Sequence, residues 1–299
     1  MSRYSYDRIL VPTDMSEFAE LALRYAGLFR ERTGSSLTLL FADEMFLPGE
    51  LIDTPLGFYL ENAPPSRWKL QQLLRAWGNE HLGGRFETLV LQQSPTRAIL
   101  HAVKDIAPQL VIMGTHGRRG LRRAILGSVT ENLLHETDVP VLTVTPALMG
   151  NRKDVAIRRI LCPVNFTYVA REALMQAGAL AETLGAELTV MYVAEAVDQN
   201  RIADVESAFR HWVDPQVACS FTHIFLQDGD PAERVLAVSG EIDADLIVVG
   251  AQHKFFSDAT VIGTTTARIT RFARIPVLTV ARKARKEILD PEHELANVM

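Results

Sequence analysis

Arg8-Ile9-Leu10-Val11-Pro12-Thr13-Asp14 returns further along the chain as Arg159-Ile160-Leu161-Cys162-Pro163-Val164-Asn165. At that offset of 151, Ala22-Leu23 meets Ala173-Leu174, Ala26-Gly27 meets Ala177-Gly178, and Gly34 meets Gly185. Leu110-Val111-Ile112-Met113-Gly114 returns as Leu246-Ile247-Val248-Val249-Gly250, and Val139-Pro140-Val141-Leu142-Thr143-Val144 as Ile275-Pro276-Val277-Leu278-Thr279-Val280. The offset has by then fallen to 136, so the second copy lacks 15 residues between its ends. Matches in one order over nearly the whole chain mark a duplication, and the repeat is the unit whose fold has to be explained.

Each copy alternates strand with helix. Arg8–Pro12 is a short apolar run that stops at a turn, and Ala19, Ala22, Leu23, Ala26 and Phe29 follow at helical spacing. Ala170, Ala173, Leu174, Ala177 and Ala181 repeat that spacing, and Gly34 and Gly185 fall where a helix C-cap belongs. Second strands are expected at Leu37–Phe41 and Leu188–Val193, third strands at Leu89–Leu91 and Ile224–Leu226, and helices at Ile99–Ala107 and Ala232–Ser239. Leu110–Met113 and Leu246–Val249 are apolar on both faces, as buried parallel strands are. Val141–Val144 and Val277–Val280 are fifth strands. Five strands alternating with helices predict an α/β fold of two tandem, doubly wound, five-stranded parallel-sheet domains. Ligands of such sheets bind beyond the C-terminal ends of the strands, where the strand order reverses.

The expected boundaries are a first domain over 1–147, a second over 156–284 and a polar tail over 285–299, with Thr145–Ala156 as linker. Phe46–Leu82 reads as extra in the first copy, a surface insertion or a lid, with a helix-like Trp68–Trp77. Hydrophobic residues make up 47% and charged residues 22%, the profile of a chain with a proper core. A formal net charge of −5 supplies no overall positive field for nucleic acid or an anionic membrane. The two cysteines are too few for a disulfide framework or a zinc site, and Cys162 sits inside an apolar run. Residues 1–14 lack the apolar core of a signal peptide, and no run reaches the ~18 apolar residues a spanning helix needs, so the expected location is the cytoplasm.

The fourth strand of the first copy leads into Gly114-Thr115-His116-Gly117-Arg118, and later Gly127-Ser128-Val129-Thr130 opens a helix. Glycines let a backbone come close to a ligand and turn its amides toward phosphate oxygens. A phosphate at the helix start meets unpaired N–H groups and the positive end of the helix dipole. Ser128 and Thr130 are placed to add hydroxyl donors, and Ser128 to act as N-cap. Arg118, Arg119, Arg122 and Arg123 put four guanidiniums beside this loop, which favours a polyphosphate over a neutral ligand. Neither the Rossmann fingerprint nor a Walker A sequence is present.

Gly114, two residues, Gly117, nine residues, then Gly127-Ser128 resembles the ATP-binding pattern of the universal stress protein family, and the duplication resembles its tandem form. The resemblance implies ATP, ADP or AMP as ligand, with Mg accompanying ATP. Thr13 and Asp14 would contact the ribose or the phosphate–metal side, Ala42 would hold adenine through its backbone, and Met113, which the residues alone place in the core, would line the base pocket. Asp14 can equally cap the helix that begins near Ser16. His116 has no nucleophile or metal partner beside it, so it reads as a backbone-positioning or phosphate-facing residue, and no catalytic residue is assigned. The resemblance further implies that the two copies pair through their last strands as an internal pseudo-dimer, and that two chains can dimerise.

The second copy keeps Gly250, Gly263 and Thr264 at the same spacing, followed by Thr265, but puts His253 where the second glycine stands and Asn165 where the acid stands. A side chain at a position of positive φ costs ~1–2 kcal/mol, and Asn165 brings no charge. Val164 and Val193 complete this weaker site, and one strong site per chain is expected, in the first copy. The leading functional expectation is an adenine-nucleotide-binding stress-response protein read by a protein partner or by self-association. The alternatives are a nucleotide-independent scaffold and an ATP pyrophosphatase-type enzyme. The latter is disfavoured because the turn Pro12-Thr13-Asp14-Met15-Ser16 lacks the Ser-Gly-Gly such enzymes carry. A flavin carrier is more remote still.

Overall fold

The structure is a computed structural model that describes residues 5–44, 66–115, 126–145, 155–194, 199–256 and 259–282. The first repeat runs β1 (Arg8–Pro12), α1 (Glu17–Thr33), β2 (Ser36–Ala42), α2 (Arg67–His81), β3 (Glu87–Leu91), α3 (Pro95–Ile106), β4 (Leu110–Gly114), α4 (Ser128–Glu136) and β5 (Val141–Val144). The second runs β6 (Arg159–Pro163), α5 (Tyr168–Leu184), β7 (Glu187–Ala194), α6 (Ile202–Val213), β8 (Phe221–Gln227), α7 (Pro231–Glu241), β9 (Leu246–Phe256), β10 (Ala259–Ile262), α8 (Thr264–Phe272) and β11 (Val277–Arg282).

The strands form one sheet in the order β3-β2-β1-β4-β5-β11-β9-β6-β7-β8, with β10 paired to β9 off that path. Within each repeat the pairings on this path are parallel. The two repeats meet where β5 and β11 pair antiparallel, Val277 opposite Thr143 and Leu278 opposite Leu142. Both repeats thus carry the doubly wound order and reverse it between their first and fourth strands, as the duplication predicts.

Side chains alternate across the sheet, so each strand feeds two layers. Ile9, Val11, Leu110 and Ile112 join the helices α1, α2, α5 and α6 in one core that runs unbroken through both repeats. Leu10, Val111 and Met113 face α3 and α4, and Leu161, Ile247 and Val249 face α7 and α8. Local signals set the helix ends. Ser16 and Thr167 accept from the amides of Ala19 and Ala170 as N-caps, and Gly34 and Gly185 close α1 and α5 at φ 73° and 65°. That left-handed conformation is what a Cβ disfavours, hence the glycines.

The helix within the expected insertion turns out to be ordinary crossover. α2 connects β2 to β3, and α6 does the same between β7 and β8. Trp77 and Trp212 hold matching places on the two helices, and Phe86, directly before β3, matches Phe221 at the start of β8. Only the stretch before α2 lengthens the first repeat, and residues 45–65 lie outside the described residues. The linker residues 146–154 and the tail from 283 lie outside them as well.

Candidate functional site

β1 and β4 lie side by side at the point where the strand order reverses. Their C-terminal ends present Thr13 and Asp14 beside Met113, Gly114 and Thr115, with Ala42 ending the next strand over. The Thr13 amide donates to Leu40 O at 2.9 Å, which ties the end of β1 to β2. The Asp14 carboxylate accepts from the Ser16 amide at 3.1 Å and the Ser16 hydroxyl at 2.6 Å. Asp14 is therefore not the helix cap: Ser16 caps α1, and Asp14 holds Ser16 in place. The turn between them carries Met15 at φ 58°, a conformation that a non-glycine residue adopts at a cost. The second repeat rebuilds the same turn, with Thr167 donating to Asn165 Oδ1 at 2.8 Å and Phe166 at φ 59°. Asn165 thus replaces Asp14 in the scaffolding role and removes the charge.

Met113 is 5% exposed, packed in the core against the α3–α4 layer. Thr115 continues β4 by donating its amide to Val144 O, and its own carbonyl accepts from the Gly127 amide, both at 2.9 Å. Gly127, not Ser128, is the N-cap of α4, and it offers no side-chain acceptor to the first turn. Its φ is −62°, so it is not there for left-handed geometry. A Cβ at Gly127 would stand 2.6 Å from the Thr115 carbonyl oxygen: the reason for glycine is the close crossing of α4 over the end of β4. Ser128 is exposed at the first helical position. Thr130 is buried and donates to Gly114 O at 3.3 Å, so its hydroxyl ties α4 to the end of β4 and is not a spare donor for a ligand. The amides of Ser128, Val129 and Thr130 open the helix, and among the described residues no side chain caps them. His116, Gly117, Arg118, Arg119, Arg122 and Arg123 lie outside the described residues.

In the second repeat the segment between the fourth strand and the following helix is a β-hairpin. β9 runs on past Gly250 to Phe256 and pairs antiparallel with β10, Ile262 opposite His253 and Val261 opposite Lys254. His253 is thus extended strand, and the strain argued for a side chain at that position does not arise. Gly263 caps α8 and again lacks a side-chain acceptor, Thr264 and Thr265 are exposed at the start of the helix, and Thr266 donates to Gly250 O at 2.9 Å as Thr130 does to Gly114. Val164 and Val193 are buried, the Val164 amide donating to Met191 O at 2.8 Å. The frame of the site survives, while backbone that would ring a ligand is paired with itself.

Two residues at this edge were not singled out from the sequence. Thr115 joins the end of β4 to the cap of α4, and its signal was a polar residue directly after a buried strand. Asp43 is a carboxylate only 6% exposed beside Ala42, its amide donating to Leu91 O at 2.8 Å. The second repeat has Ala194 there, so comparison of the copies hid it.

The fold and this edge define a class: a two-repeat, doubly wound α/β protein with a glycine-capped helix crossing the end of its fourth strand. The chain belongs to the universal stress protein family, whose sequence profile matches residues 5–145 and 220–281. A universal stress protein of Methanocaldococcus jannaschii is 28% identical over 155 residues, covering 46% of this chain and 94% of that one. One of Mycolicibacterium smegmatis is 23% identical over 297 residues, covering 91% and 96%. Among solved structures, a universal stress protein of Archaeoglobus fulgidus superposes with a TM-score of 0.65 at 24% identity, over 93% of this chain and 99% of that chain. At these identities the structural likeness speaks for the fold. Among the described residues no helix is long and apolar enough to cross a membrane.

Proposed function

We propose that the first repeat binds an adenine nucleotide (ATP, ADP or AMP, with Mg accompanying ATP) and that a protein partner or a second chain reads the liganded state. The observation that carries this reading is the N-terminus of α4, capped by a glycine without a side-chain acceptor and set beside the reversal point of the strand order. The phosphates would take the amides of Ser128, Val129 and Thr130, with Gly117 and the arginines from Arg118 onward in the loop before them. Thr13 and Asp14 would face the ribose or the metal, and Ala42 and Met113 the base. Asp14 keeps a carboxylate where Asn165 has none. The reading is one of binding and not turnover, and it places the protein in the cytoplasm, with domains over 1–147 and 156–284.

The hairpin of the second repeat favours one working site per chain. It also supports a second reading, a nucleotide-independent scaffold, which the first repeat opposes. Denaturing extraction of the purified protein, with the released nucleotide identified and counted, separates these. About one adenine nucleotide per chain, lost in Gly127→Val, is the expected result. Two per chain would end the single-site reading, and none after soaking with ATP and magnesium would leave the scaffold.

A further inference from the structure

At the opposite end of the sheet from α4's N-terminus, a groove of about 740 Å³ opens between the last turns of α2, the start of β2 and the start of β3. Arg30, Arg75 and Arg85 line it together with Asn79, Ser36 and Glu87, three guanidiniums against one carboxylate in a chain whose net charge is −5. Arg30 is structural. It donates to Gly83 O at 2.8 Å, Leu82 O at 3.1 Å and Arg85 O at 3.4 Å, so the turn that carries Arg85 is held by the wall of the groove. Gly84 permits this, since a Cβ there would lie 3.1 Å from an Arg30 nitrogen. Arg75 and Asn79 are four apart on α2 and so share a face.

Arg75 and Arg85 are exposed and make no ion pair among the described residues. The second repeat supplies an internal control. Its counterpart of Arg75 is Arg210, which pairs with Glu206 at 3.0 Å, whereas the first repeat has Gln71 where Glu206 stands. Arg210 also lies 3.3 Å from His223 Nδ1, and His223 pairs with Asp214 at 3.2 Å, where the first repeat has Asn79. Ser220 stands where Arg85 does. One copy neutralises its arginine, and the other leaves two without an ion pair among the described residues, beside an amide donor and with Glu87 the one carboxylate lining the groove. A guanidinium matches an oxyanion bidentately, and the groove's volume falls in the range of small-molecule sites.

We propose that this groove binds the phosphate group of a small phosphomonoester, independently of the nucleotide site. The test is an NMR titration of the 15N-labelled full chain with inorganic phosphate and, separately, glycerol 3-phosphate. Wild type, Arg85→Gln, Arg75→Gln/Arg85→Gln, Arg210→Gln and Gly127→Val are compared, with thermal midpoints to establish folding. The amides of Gly84 and Arg85 are expected to shift and saturate in wild type, Arg210→Gln and Gly127→Val alike. The double variant should bind about tenfold more weakly, and the single Arg85→Gln should reproduce part of that loss. Tighter binding of glycerol 3-phosphate assigns an organic ligand, and equal binding assigns the phosphate group itself. No saturable shift by ~10 mM, a level where binding is barely specific, would overturn the proposal. So would an undiminished response in the double variant, or a response lost in Gly127→Val.

Discussion

A methyl group added at Gly250 would lie 2.8 Å from the Val169 carbonyl oxygen and 3.0 Å from the Ala170 amide nitrogen, and one at Gly127 2.6 Å from the Thr115 carbonyl oxygen. Neither obstacle is a side chain that can swing away. Gly263 matches Gly127 in the repeat, yet a Cβ there meets nothing within 4 Å. Gly250→Ala and Gly127→Ala should each lose about 1–3 kcal/mol through forced backbone shifts, and Gly263→Ala no more than about 1 kcal/mol as an N-cap change. Urea denaturation measures all three, and equal losses would show that crossing geometry is not what keeps these glycines. The sequence pattern made the spacing of the glycines legible but not their separate reasons, because contact with a carbonyl from another element leaves no mark on the local string. The same holds for Asp14: its place at the end of β1 was plain, while its bond to Ser16 depended on a turn through Met15 at positive φ that no glycine announced.

Among the elements, α7 and α8 are joined by charge. Asp230 caps α7 by accepting from the Glu233 amide at 2.9 Å, and Arg268 on α8 reaches both Asp230 and Glu233. The amide of Glu233 first, and then the Arg268 guanidinium, hold the Asp230 carboxyl below its usual range, while Asp230 raises Arg268 in turn. A carboxyl whose pKa is depressed by folding adds stability above its unfolded value, near pH 4, and that stability is lost as pH falls through the folded pKa. Ser94 holds the matching place in the first repeat and makes no side-chain cap. Asp230→Ser should therefore flatten the fall of the urea midpoint below about pH 4 and leave the slope near neutrality unchanged. Superimposable acid limbs would dismiss the clamp. Element types and their order were legible because apolar runs and helical spacing repeat between the copies. β10 was not, because Lys254–Ile262 aligns with a glycine- and arginine-rich stretch that reads as a loop in the sequence, and only its pairing with β9 makes it a strand.

Over the whole molecule, the seam between repeats decides how the chain unfolds. Leu142 and Leu278 face each other across β5 and β11 without exposure, inside the core that also holds α1 and α5. Tyr6, ahead of β1, donates to Gln176 on α5 at 3.2 Å, a buried bond between the repeats. The strand pairing at the seam was legible only through family resemblance; nothing in the string says that two buried strands of different repeats meet antiparallel. Two domains of this size commonly unfold separately, but a core without an internal boundary gives neither half a surface on which to stop. The three tryptophans report the outcome, Trp68 and Trp77 from α2 and Trp212 from α6. Trp212→Phe leaves only the first repeat visible, and Trp68→Phe/Trp77→Phe only the second. Their fluorescence midpoints in urea should coincide. Leu278→Ala, which opens a cavity at the seam, should lower both midpoints together, for a loss of about 2–5 kcal/mol in unfolding free energy. If it lowered the Trp212 signal alone, the repeats would be independent domains that share a sheet edge, and a ligand at α4 would have no mechanical route to the second half.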